Sequence, residues 1–303
     1  MAEIADRYLA ICNPSAGGGR CGKRAPEAIG RLRDGGLSVD VVETRGAGDA
    51  TIIARDAWAS GRRHFIAVGG DGTGYEIVNG LFPEAIGAEQ KPTLGFLPLG
   101  TGNSFLRDFS EKGAEYSIQA ILDGRMRDCD VIRLDCQEGP LHYINILSFG
   151  FTADVGDLTN RRFKPLGEAG YILAVVTEVL RLKPRVYPMA VDGGATERDP
   201  VTFVSVNNSK YTGGKMMMAP EADPSSGTAA LVRVGEMGRL TLLQTFPKIF
   251  KGTHVLHPAI SQSHINDIDF QVHDPIALMI DGEVVQGTPQ HLEVLQGVLR
   301  IRV

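Results

Sequence analysis

The sequence His64-Phe65-Ile66-Ala67-Val68-Gly69-Gly70-Asp71-Gly72-Thr73 runs from a short apolar stretch into a glycine-rich turn. Glycine has no Cβ, so the backbone N–H groups of such a turn can approach an anion closely. Asp71 is the one charged residue of the turn, and its carboxylate would repel a phosphate unless a divalent cation or a transferable proton lay between them. The turn therefore predicts Mg-nucleotide chemistry, with a plain strand-to-helix connection of an α/β protein as the alternative.

The composition is that of an ordinary globular protein. Its 303 residues suffice for two domains, and 43% of them are hydrophobic and 22% charged. The net charge of −5 argues against nucleic acid as a partner, because such binding relies on Lys and Arg to neutralise phosphates. The four cysteines form no C-x-x-C pair, the first residues form no apolar leader, and no apolar run could span a membrane. We therefore expect free thiols and a cytoplasmic protein.

The first half of the chain alternates between apolar stretches and amphipathic stretches. The apolar stretches predict four strands, at Tyr8–Cys12, Ser38–Thr44, His64–Val68 and Thr93–Leu97. Helices are predicted over Pro26–Leu32, from Ala50 to about Trp58 with Gly46–Asp49 as its cap, and over Tyr75–Leu81. This alternation is typical of a parallel sheet covered by helices, so we expect an α/β N-terminal domain.

Four loops rich in Gly or Thr follow these strands directly, at residues 13–19, 44–48, 69–73 and 100–103. The carboxyl ends of parallel strands lie at one edge of a sheet, and ligands of such sheets bind there. A glycine loop between a strand and a helix is moreover an anion-binding arrangement. The spacing therefore predicts one phosphate site shared by the four loops.

Three separated motifs carry a family resemblance. They are Asn13-Pro14-Ser15, Gly69-Gly70-Asp71-Gly72-Thr73 with Glu76 and Asn79 behind it, and Pro98-Leu99-Gly100-Thr101-Gly102-Asn103-Ser104-Phe105. In this order and spacing they resemble the diacylglycerol kinase catalytic-domain superfamily, which includes bacterial diacylglycerol kinase-like lipid kinases and the sphingosine and ceramide kinases. The resemblance covers nearly the whole chain, and it implies an ATP-dependent lipid kinase.

The second half, from about residue 128, consists of short alternating stretches with turn signals between them, which favours an antiparallel β-sandwich. One inserted helix is predicted from about Leu166 to Leu182. Its basic ends suit either a transient contact with an anionic membrane surface or simple packing on a sheet. We expect a nucleotide-binding domain at 1–128 and a lipid-substrate domain at 129–303, whose last strands, by the resemblance, return to the first domain.

The resemblance also implies which residues bind ATP and Mg²⁺. The implied nucleotide-binding residues are Asn13, Pro14, Ser15, Ala16, Gly17, Thr44, Gly69, Gly70, Asp71, Gly72, Thr73, Gly74, Tyr75 and Thr101. Asp71 is expected to organise Mg²⁺ on the β- and γ-phosphates, directly or through water. In the family, the acidic residue of a segment like Ile280-Asp281-Gly282-Glu283-Val284 serves as the base, which makes Glu283 the catalytic candidate and leaves Asp71 as its rival.

One segment departs from the family pattern. The bacterial diacylglycerol kinases carry a structural Mg²⁺ at an Asp-Asp-Gly segment, where this chain has Asp223-Pro224-Ser225-Ser226-Gly227-Thr228. Ser226 replaces an Asp, so only Asp223 and Thr228 remain as weak ligands for a cation that prefers charged oxygens. We expect this site to be unfilled, which also weakens the case for diacylglycerol itself as the acceptor.

Two other classes of function stay open at this stage. NAD kinases and phosphofructokinases also use a Gly-Gly-Asp-Gly turn, so a kinase for a soluble substrate is one alternative. A relative that senses lipid or nucleotide without turnover is the other. The expected partners are a lipid substrate and a transiently contacted membrane surface, and a homodimer remains an open quaternary state. Met216, Met217 and Met218 are expected either to line an apolar cleft or to fill the core.

Overall fold

The computed structural model describes residues 7–158, 177–179 and 182–303. The described chain divides into two compact units. The first comprises the residues up to Val131 together with Leu295–Val303, and the second comprises Ile132–Val294.

The first unit is built on a parallel sheet. Its strands are β1 (Tyr8–Cys12), β2 (Val39–Glu43), β3 (His64–Gly69) and β4 (Thr93–Pro98), in the order β2-β1-β3-β4. All three pairings among them are parallel, and Arg300–Arg302 of the last strand pair in parallel with the start of β4. The predicted α/β fold with a parallel sheet is confirmed. All the loops that leave β1 to β4 at their carboxyl ends therefore share one edge.

The described residues of this unit contain four α-helices, α1 (Arg20–Asp34), α2 (Asp49–Ala59), α3 (Asp71–Leu81) and α4 (Ala114–Leu122), and a 3-10 helix spans Phe105–Asp108. Two of them begin earlier than predicted, α1 at Arg20 instead of Pro26 and α3 at Asp71 instead of Tyr75. Glycines make these first turns poor helix formers in isolation. Packing overrides that preference, because Cys21 is fully buried and a Cβ on Gly74 would lie 3.2 Å from the ring of Phe96.

The N-terminus of α2 differs from its predicted cap. The helix begins at Asp49, and its N-cap residue, Gly48, has no side chain to accept a hydrogen bond from the first turn. Instead, the carboxylate of Glu76 on α3 accepts hydrogen bonds from the backbone N–H groups of Gly48 at 2.9 Å and Ala50 at 3.1 Å. A carboxylate at this position also interacts favourably with the helix dipole. Glu76 thus fixes the end of the loop 44–48 against α3.

The second unit contains most of the antiparallel strands. The other strands among the described residues are β5 (Arg127–Cys136), β6 (Gly139–Tyr143), β7 (Ile146–Gly150), β8 (Arg185–Val186), β9 (Met189–Val191), β10 (Pro200–Asn207), β11 (Tyr211–Thr212), β12 (Met216–Met217), β13 (Ala229–Gly235), β14 (Ile260–Ile265), β15 (Asp267–Phe270), β16 (Ile276–Ile280), β17 (Glu283–Gly287) and β18 (Pro289–Arg302). One sheet has the order β14-β13-β10-β7-β16-β17, with β8 on β10. In a second sheet, β15 pairs antiparallel with β9 and with the first part of β18.

The two sheets of this unit meet through aromatic residues. The ring of Phe149 on β7 packs edge-on against Phe270 on β15, with ring centroids 6.0 Å apart, and against Tyr187 at 4.8 Å. Such edge-to-face pairs stabilise a core beyond the area that they bury. The predicted sandwich-like second domain is confirmed.

Short helices complete the second unit. They are α5 (Phe151–Leu158), α6 (Arg239–Thr245) and 3-10 helices at Phe246–Lys251 and Thr253–Leu256. The helix predicted from about Leu166 to Leu182 lies largely outside the described residues, which include only 177–179 and 182 of it. Every helix in the described part of the chain is too short or too polar to cross a membrane.

Candidate active site

The loop after β1 has the geometry of an anion-binding loop. Gly17, Gly18 and Gly19 all adopt positive φ angles, of 64°, 67° and 84°, which only glycine adopts readily. Gly19 is the N-cap of α1, and neither a capping side chain nor an acidic residue occupies the first turn of that helix. The N–H groups of Cys21 and Gly22 donate to the carbonyl oxygens of Ala16 and Pro14, so this helix end offers an anion mainly the positive end of its dipole. The side chain of Asn13 accepts a hydrogen bond from the N–H of Ser15 at 3.1 Å and shapes the start of the loop.

The glycines at the end of β3 allow two loops to approach each other closely, and they do not form the sharp turn expected of them. Gly69, Gly70 and Gly72 have no left-handed φ angles. A Cβ on Gly100 would lie 2.6 Å from the backbone nitrogen of Gly70, and a Cβ on Gly70 would lie 2.8 Å from the carbonyl oxygen of Gly102. The N–H of Gly100 donates to the carbonyl of Gly69 at 2.8 Å. The loops 69–72 and 100–102 are thus packed backbone to backbone, which side chains would prevent.

Asp71 ties these two loops together. Its backbone N–H donates to the carbonyl oxygen of Gly102 at 3.1 Å, and its carboxylate accepts from the N–H groups of Ser104 at 2.8 Å and Phe105 at 3.5 Å. Burial raises the pKa of this carboxyl, and the hydrogen bonds from Ser104 oppose the rise because they favour the ionised form. The carboxylate is therefore fixed in direction at the edge of the sheet.

The remaining predicted nucleotide residues lie at the same edge. Thr44 is buried, and its N–H donates to the carbonyl of Cys12 at 2.8 Å. Thr73 and Tyr75 are buried on the first turns of α3, whereas Thr101 is exposed. Within the first unit, the structure therefore brings together the loops 13–19, 44–48, 69–73 and 100–103.

Two residues at this edge have roles that sequence reasoning did not assign. Glu76 fixes the loop 44–48 through the N–H groups of Gly48 and Ala50, and Ser104 holds the carboxylate of Asp71. Both residues belong to the sequence motifs quoted above. Their roles depend on contacts between loops that are distant in sequence, and no local pattern reports such contacts.

The Asp-Gly-Glu segment lies in the second unit and forms the turn between β16 and β17. Asp281 and Gly282 have φ angles of 48° and 94°, the positive pair that a tight two-residue hairpin turn requires. Asp281 is buried, and its carboxylate accepts hydrogen bonds from the backbone N–H groups of Ile144, Asn145 and Ile146 at 3.2, 3.2 and 2.8 Å. Glu283 begins β17 and is exposed. Asp281 therefore serves the fold, and Glu283 is the acid of this turn that is free to meet a substrate.

The segment predicted as a weak structural metal site forms a closed turn. The hydroxyl oxygen of Ser226 lies 2.9 Å from the carbonyl oxygens of both Asp223 and Thr228, to which its single hydrogen can donate, and the carboxylate of Asp223 accepts from the N–H of Ser225 at 2.9 Å. The serine hydroxyl thus occupies carbonyl oxygens that a cation would use. Across the described residues, no three His, Cys, Asp or Glu side chains cluster as metal ligands do.

The donor set at Asp71 is suited to Mg²⁺ bound together with a nucleotide. Mg²⁺ usually keeps several waters and takes one or two carboxylates plus substrate phosphates, so a single fixed carboxylate is sufficient. A site formed by protein ligands alone would need more of them. The residues present thus fit a metal that arrives with ATP.

An apolar cavity of about 50 Å³ lies in the second unit. It is lined by Phe151, Phe203, Met216, Met218, Val234, Leu242, Thr245, Phe246, Ile249, His254 and Ile260. Met216 and Met218 are both buried, so they belong to the core and line this cavity at once. Burial lowers the pKa of His254, whose Nε2 lies 3.1 Å from the carbonyl oxygen of Met218, and the imidazole is therefore neutral at pH 7.

Comparison with known proteins covers both units. Residues 7–134 match the diacylglycerol kinase catalytic domain, and residues 145–303 match the YegS C-terminal NAD kinase beta sandwich-like domain. The chain is 30% identical over 300 residues to a diacylglycerol kinase of Mycobacterium tuberculosis, and the alignment covers 97% of this chain and 94% of that protein. A diacylglycerol kinase of Bacillus subtilis is 26% identical over 281 residues, with coverage of 91% and 89%.

A solved structure agrees with these matches. A protein from Bacillus anthracis, provisionally assigned as a diacylglycerol kinase, superposes with a TM-score of 0.79 at 25% identity. The superposition covers 98% of this chain and 95% of that protein. The matches define the class as kinases that join an α/β catalytic domain to a β-sandwich-like domain. Within that class, the chain belongs to the family of diacylglycerol kinases and YegS-like lipid kinases.

Proposed function

We propose that this chain transfers the γ-phosphoryl group of ATP to the hydroxyl group of a lipid, with diacylglycerol-like and sphingoid-like alcohols as the acceptor classes. The observation that carries the proposal is the fixed carboxylate of Asp71 between two glycine loops that touch backbone to backbone. Phosphoryl transfer needs positioning and charge neutralisation more than covalent chemistry, and this edge of the sheet offers both.

The first unit supplies the nucleotide site in this proposal. Backbone N–H groups of the glycine loops donate to phosphate oxygens, and the positive end of the α1 dipole favours the negative charge of the phosphates. The residues proposed to hold ATP are Asn13, Pro14, Ser15, Ala16, Gly17, Thr44, Gly69, Gly70, Asp71, Gly72, Thr73, Gly74, Tyr75 and Thr101. Asp71 would hold Mg²⁺, directly or through water, and the metal when bound would neutralise charge on the β- and γ-phosphates.

Glu283 is the proposed base. The lipid oxygen forms a bond to the γ-phosphorus as the bond to the bridging oxygen breaks and ADP leaves, and Glu283 takes the proton of the lipid hydroxyl. A hydroxyl of this kind has a pKa far above neutral, so the base accepts the proton during transfer and not before it. Exposure of Glu283 and the structural engagement of Asp281 support this choice, and Asp71 remains the rival base.

The second unit supplies the lipid-binding site in this proposal. The apolar cavity lined by Met216, Met218 and Phe246 offers little besides carbon and sulfur atoms and therefore suits an apolar group, and its volume of about 50 Å³ admits only the end of an acyl chain. A lipid acceptor also requires at least transient contact with a membrane surface, and the enzyme would then be a peripheral cytoplasmic protein.

The test is ATP consumption in detergent micelles that contain one acceptor at a time: diacylglycerol, monoacylglycerol, sphingosine or ceramide, with NAD as a soluble control. We expect turnover with at least one lipid and none with NAD. Turnover with NAD alone would overturn the lipid assignment, and binding of ATP without turnover on any acceptor would favour a sensor.

A further inference from the structure

Residues 239–251 form a nearly continuous helical segment with two unlike faces, α6 followed by a 3-10 helix. Leu242, Thr245 and Ile249 are buried and line the apolar cavity. Leu240, Leu243 and Phe250, spaced by three and seven residues, point the other way and are 68%, 38% and 48% exposed. The spacing places these three side chains on one outward side of the segment.

A fourth exposed apolar side chain follows in the next short helix. Leu256, in the 3-10 helix Thr253–Leu256, is 80% exposed, the highest value among the large hydrophobic residues described. Scattered exposed leucines are normal on protein surfaces, whereas four large apolar side chains within 17 residues are a concentration that marks an interaction surface.

The charge of this region identifies the partner. The chain as a whole carries a net charge of −5, yet no Asp or Glu occurs between residues 237 and 266. The same stretch contains Arg239, Lys248 and Lys251, all of which are exposed. None of these three cations forms an ion pair with any residue that the structure describes. Exposed apolar side chains among unpaired cations are complementary to an anionic bilayer surface, where cations meet headgroups and apolar groups enter the interface.

We propose that the surface formed by Leu240, Leu243, Phe250 and Leu256 with Arg239, Lys248 and Lys251, called here the 239–256 surface, docks onto anionic membranes. It is distinct from the basic-ended helix predicted at about 166–182. The proposal deepens the proposed function, since a lipid kinase must reach its acceptor at a membrane, and it locates that contact on the outer side of the helix whose inner side lines the apolar cavity.

The test is co-sedimentation of the full chain, without ATP, with vesicles of phosphatidylcholine alone or mixed with phosphatidylglycerol. Binding should require phosphatidylglycerol and weaken in high salt. The variant Arg239→Gln/Lys248→Gln/Lys251→Gln should bind about a hundredfold more weakly, since each of the three charges contributes about fivefold near an anionic surface. Leu240→Ser/Phe250→Ser should lose about tenfold or more, because the apolar groups no longer enter the interface.

Matched controls lie on α2 of the first unit. Ile52 is 54% exposed and Arg55 is exposed, so Ile52→Ser and Arg55→Gln remove an apolar group and a cation elsewhere. Both should bind vesicles like the wild type, and circular dichroism should show all variants folded. Wild-type binding that ignores phosphatidylglycerol, or surface variants that bind like the controls, would overturn the proposal. The proposal would also be overturned if the wild type were a dimer and the Leu240→Ser/Phe250→Ser variant a monomer, because that result would assign this face to a second copy of the chain.

The lipid that the micelle assay identifies as acceptor, supplied either in a water-soluble short-chain form or as its long-chain form in the vesicles, separates this proposal from the proposed function. On the short-chain form the surface variants should keep the wild-type rate, while on vesicles they should lose turnover in proportion to their binding. Loss of turnover on both forms by folded surface variants would overturn a pure docking role. A wild type that binds anionic vesicles through this surface but phosphorylates none of the four lipids of the micelle assay would refute the kinase proposal and leave the docking surface established.

Discussion

The carboxylate of Asp71 accepts a hydrogen bond from the backbone N–H of Ser104 at 2.8 Å, across two loops that lie 33 residues apart in sequence. The contact fixes the acid and holds the loop after β4 against the glycine turn after β3. The same carboxyl has its pKa raised by burial, so its ionised form is kept at a cost in stability.

We expect Asp71→Asn to abolish most activity without destabilising the fold. A carboxyl whose folded-state pKa is raised contributes stability below its unfolded pKa, and that contribution is lost as pH rises through the folded value. At pH 7 the wild type therefore bears the cost of the buried charge, and the amide, which can still accept from Ser104, does not. Activity should fall by about 10² to 10³, the usual loss when a group that stabilises the transition state is removed. Thermal unfolding and turnover measured together check this, and a variant that is both active and less stable would contradict it.

Gly100→Ala should disrupt the contact between the two glycine loops. The new Cβ would lie 2.6 Å from the nitrogen of Gly70 and 2.8 Å from its Cα, and both are backbone atoms that cannot rotate away. We expect ATP affinity to fall at least about tenfold, because a displacement of the loops misaligns their N–H groups. Gly30→Ala is the control: Gly30 lies inside α1 with open space around it, so alanine should stabilise by about 1 kcal/mol. Calorimetric titration with ATP distinguishes the two, and equal affinities would exclude the role given to Gly100.

The two acids of the β16–β17 turn should respond in opposite ways. Asp281→Ala leaves three backbone N–H groups without their acceptor, and we expect the free energy of unfolding to fall by about 3 kcal/mol. Asp281→Asn tolerates the same positive φ and keeps one acceptor, so it should lose less.

Glu283→Gln should leave stability within about 0.5 kcal/mol of the wild type, as surface substitutions usually do. Turnover should fall by about 10² to 10⁴, the contribution of a positioned base. Urea unfolding and initial rates measure both effects. A Glu283→Gln enzyme with full activity would transfer the role of base to Asp71.

Acid should destabilise the second unit through His142. This side chain is 1% exposed on β6, and burial together with the nearby Arg133 lowers its pKa to about 4 from 6.5. A histidine with a depressed folded-state pKa contributes stability above its unfolded pKa and loses it as pH falls towards the folded value. The free energy of unfolding should therefore drop between pH 6.5 and 4 by up to about 3 kcal/mol from this group. His142→Gln should flatten the pH dependence in urea titrations, and the exposed His273→Gln should not.

The parallel sheet and the meeting of the four loops at one edge could be predicted from the sequence. Uninterrupted apolar runs such as Phe65–Val68 are buried strands whatever surrounds them, and parallel strands leave their loops at one edge. The starts of α1 and α3 were predicted too late because glycine is a poor helix former in isolation, and only the packing of Cys21 and Gly74 reverses that preference.

The roles of the acids were harder to predict. Asp281 and Glu283 look alike in a five-residue segment, yet Asp281 is held by amides at residues 144–146, more than a hundred positions away. Glu76 likewise serves a loop that precedes it by almost thirty residues. Long-range pairing of this kind has no local signature, and the coordinates are needed to separate the acids that hold the fold from those that remain for chemistry.

The central claim is tested most directly by following the γ-phosphorus of labelled ATP into lipid extracted from a micellar reaction with Mg²⁺. We expect the label to appear in a phosphorylated lipid in amounts equal to the ADP formed, and to disappear from the lipid with Asp71→Asn. Label found only in inorganic phosphate or in NADP, with none in lipid at any acceptor tested, would contradict the account.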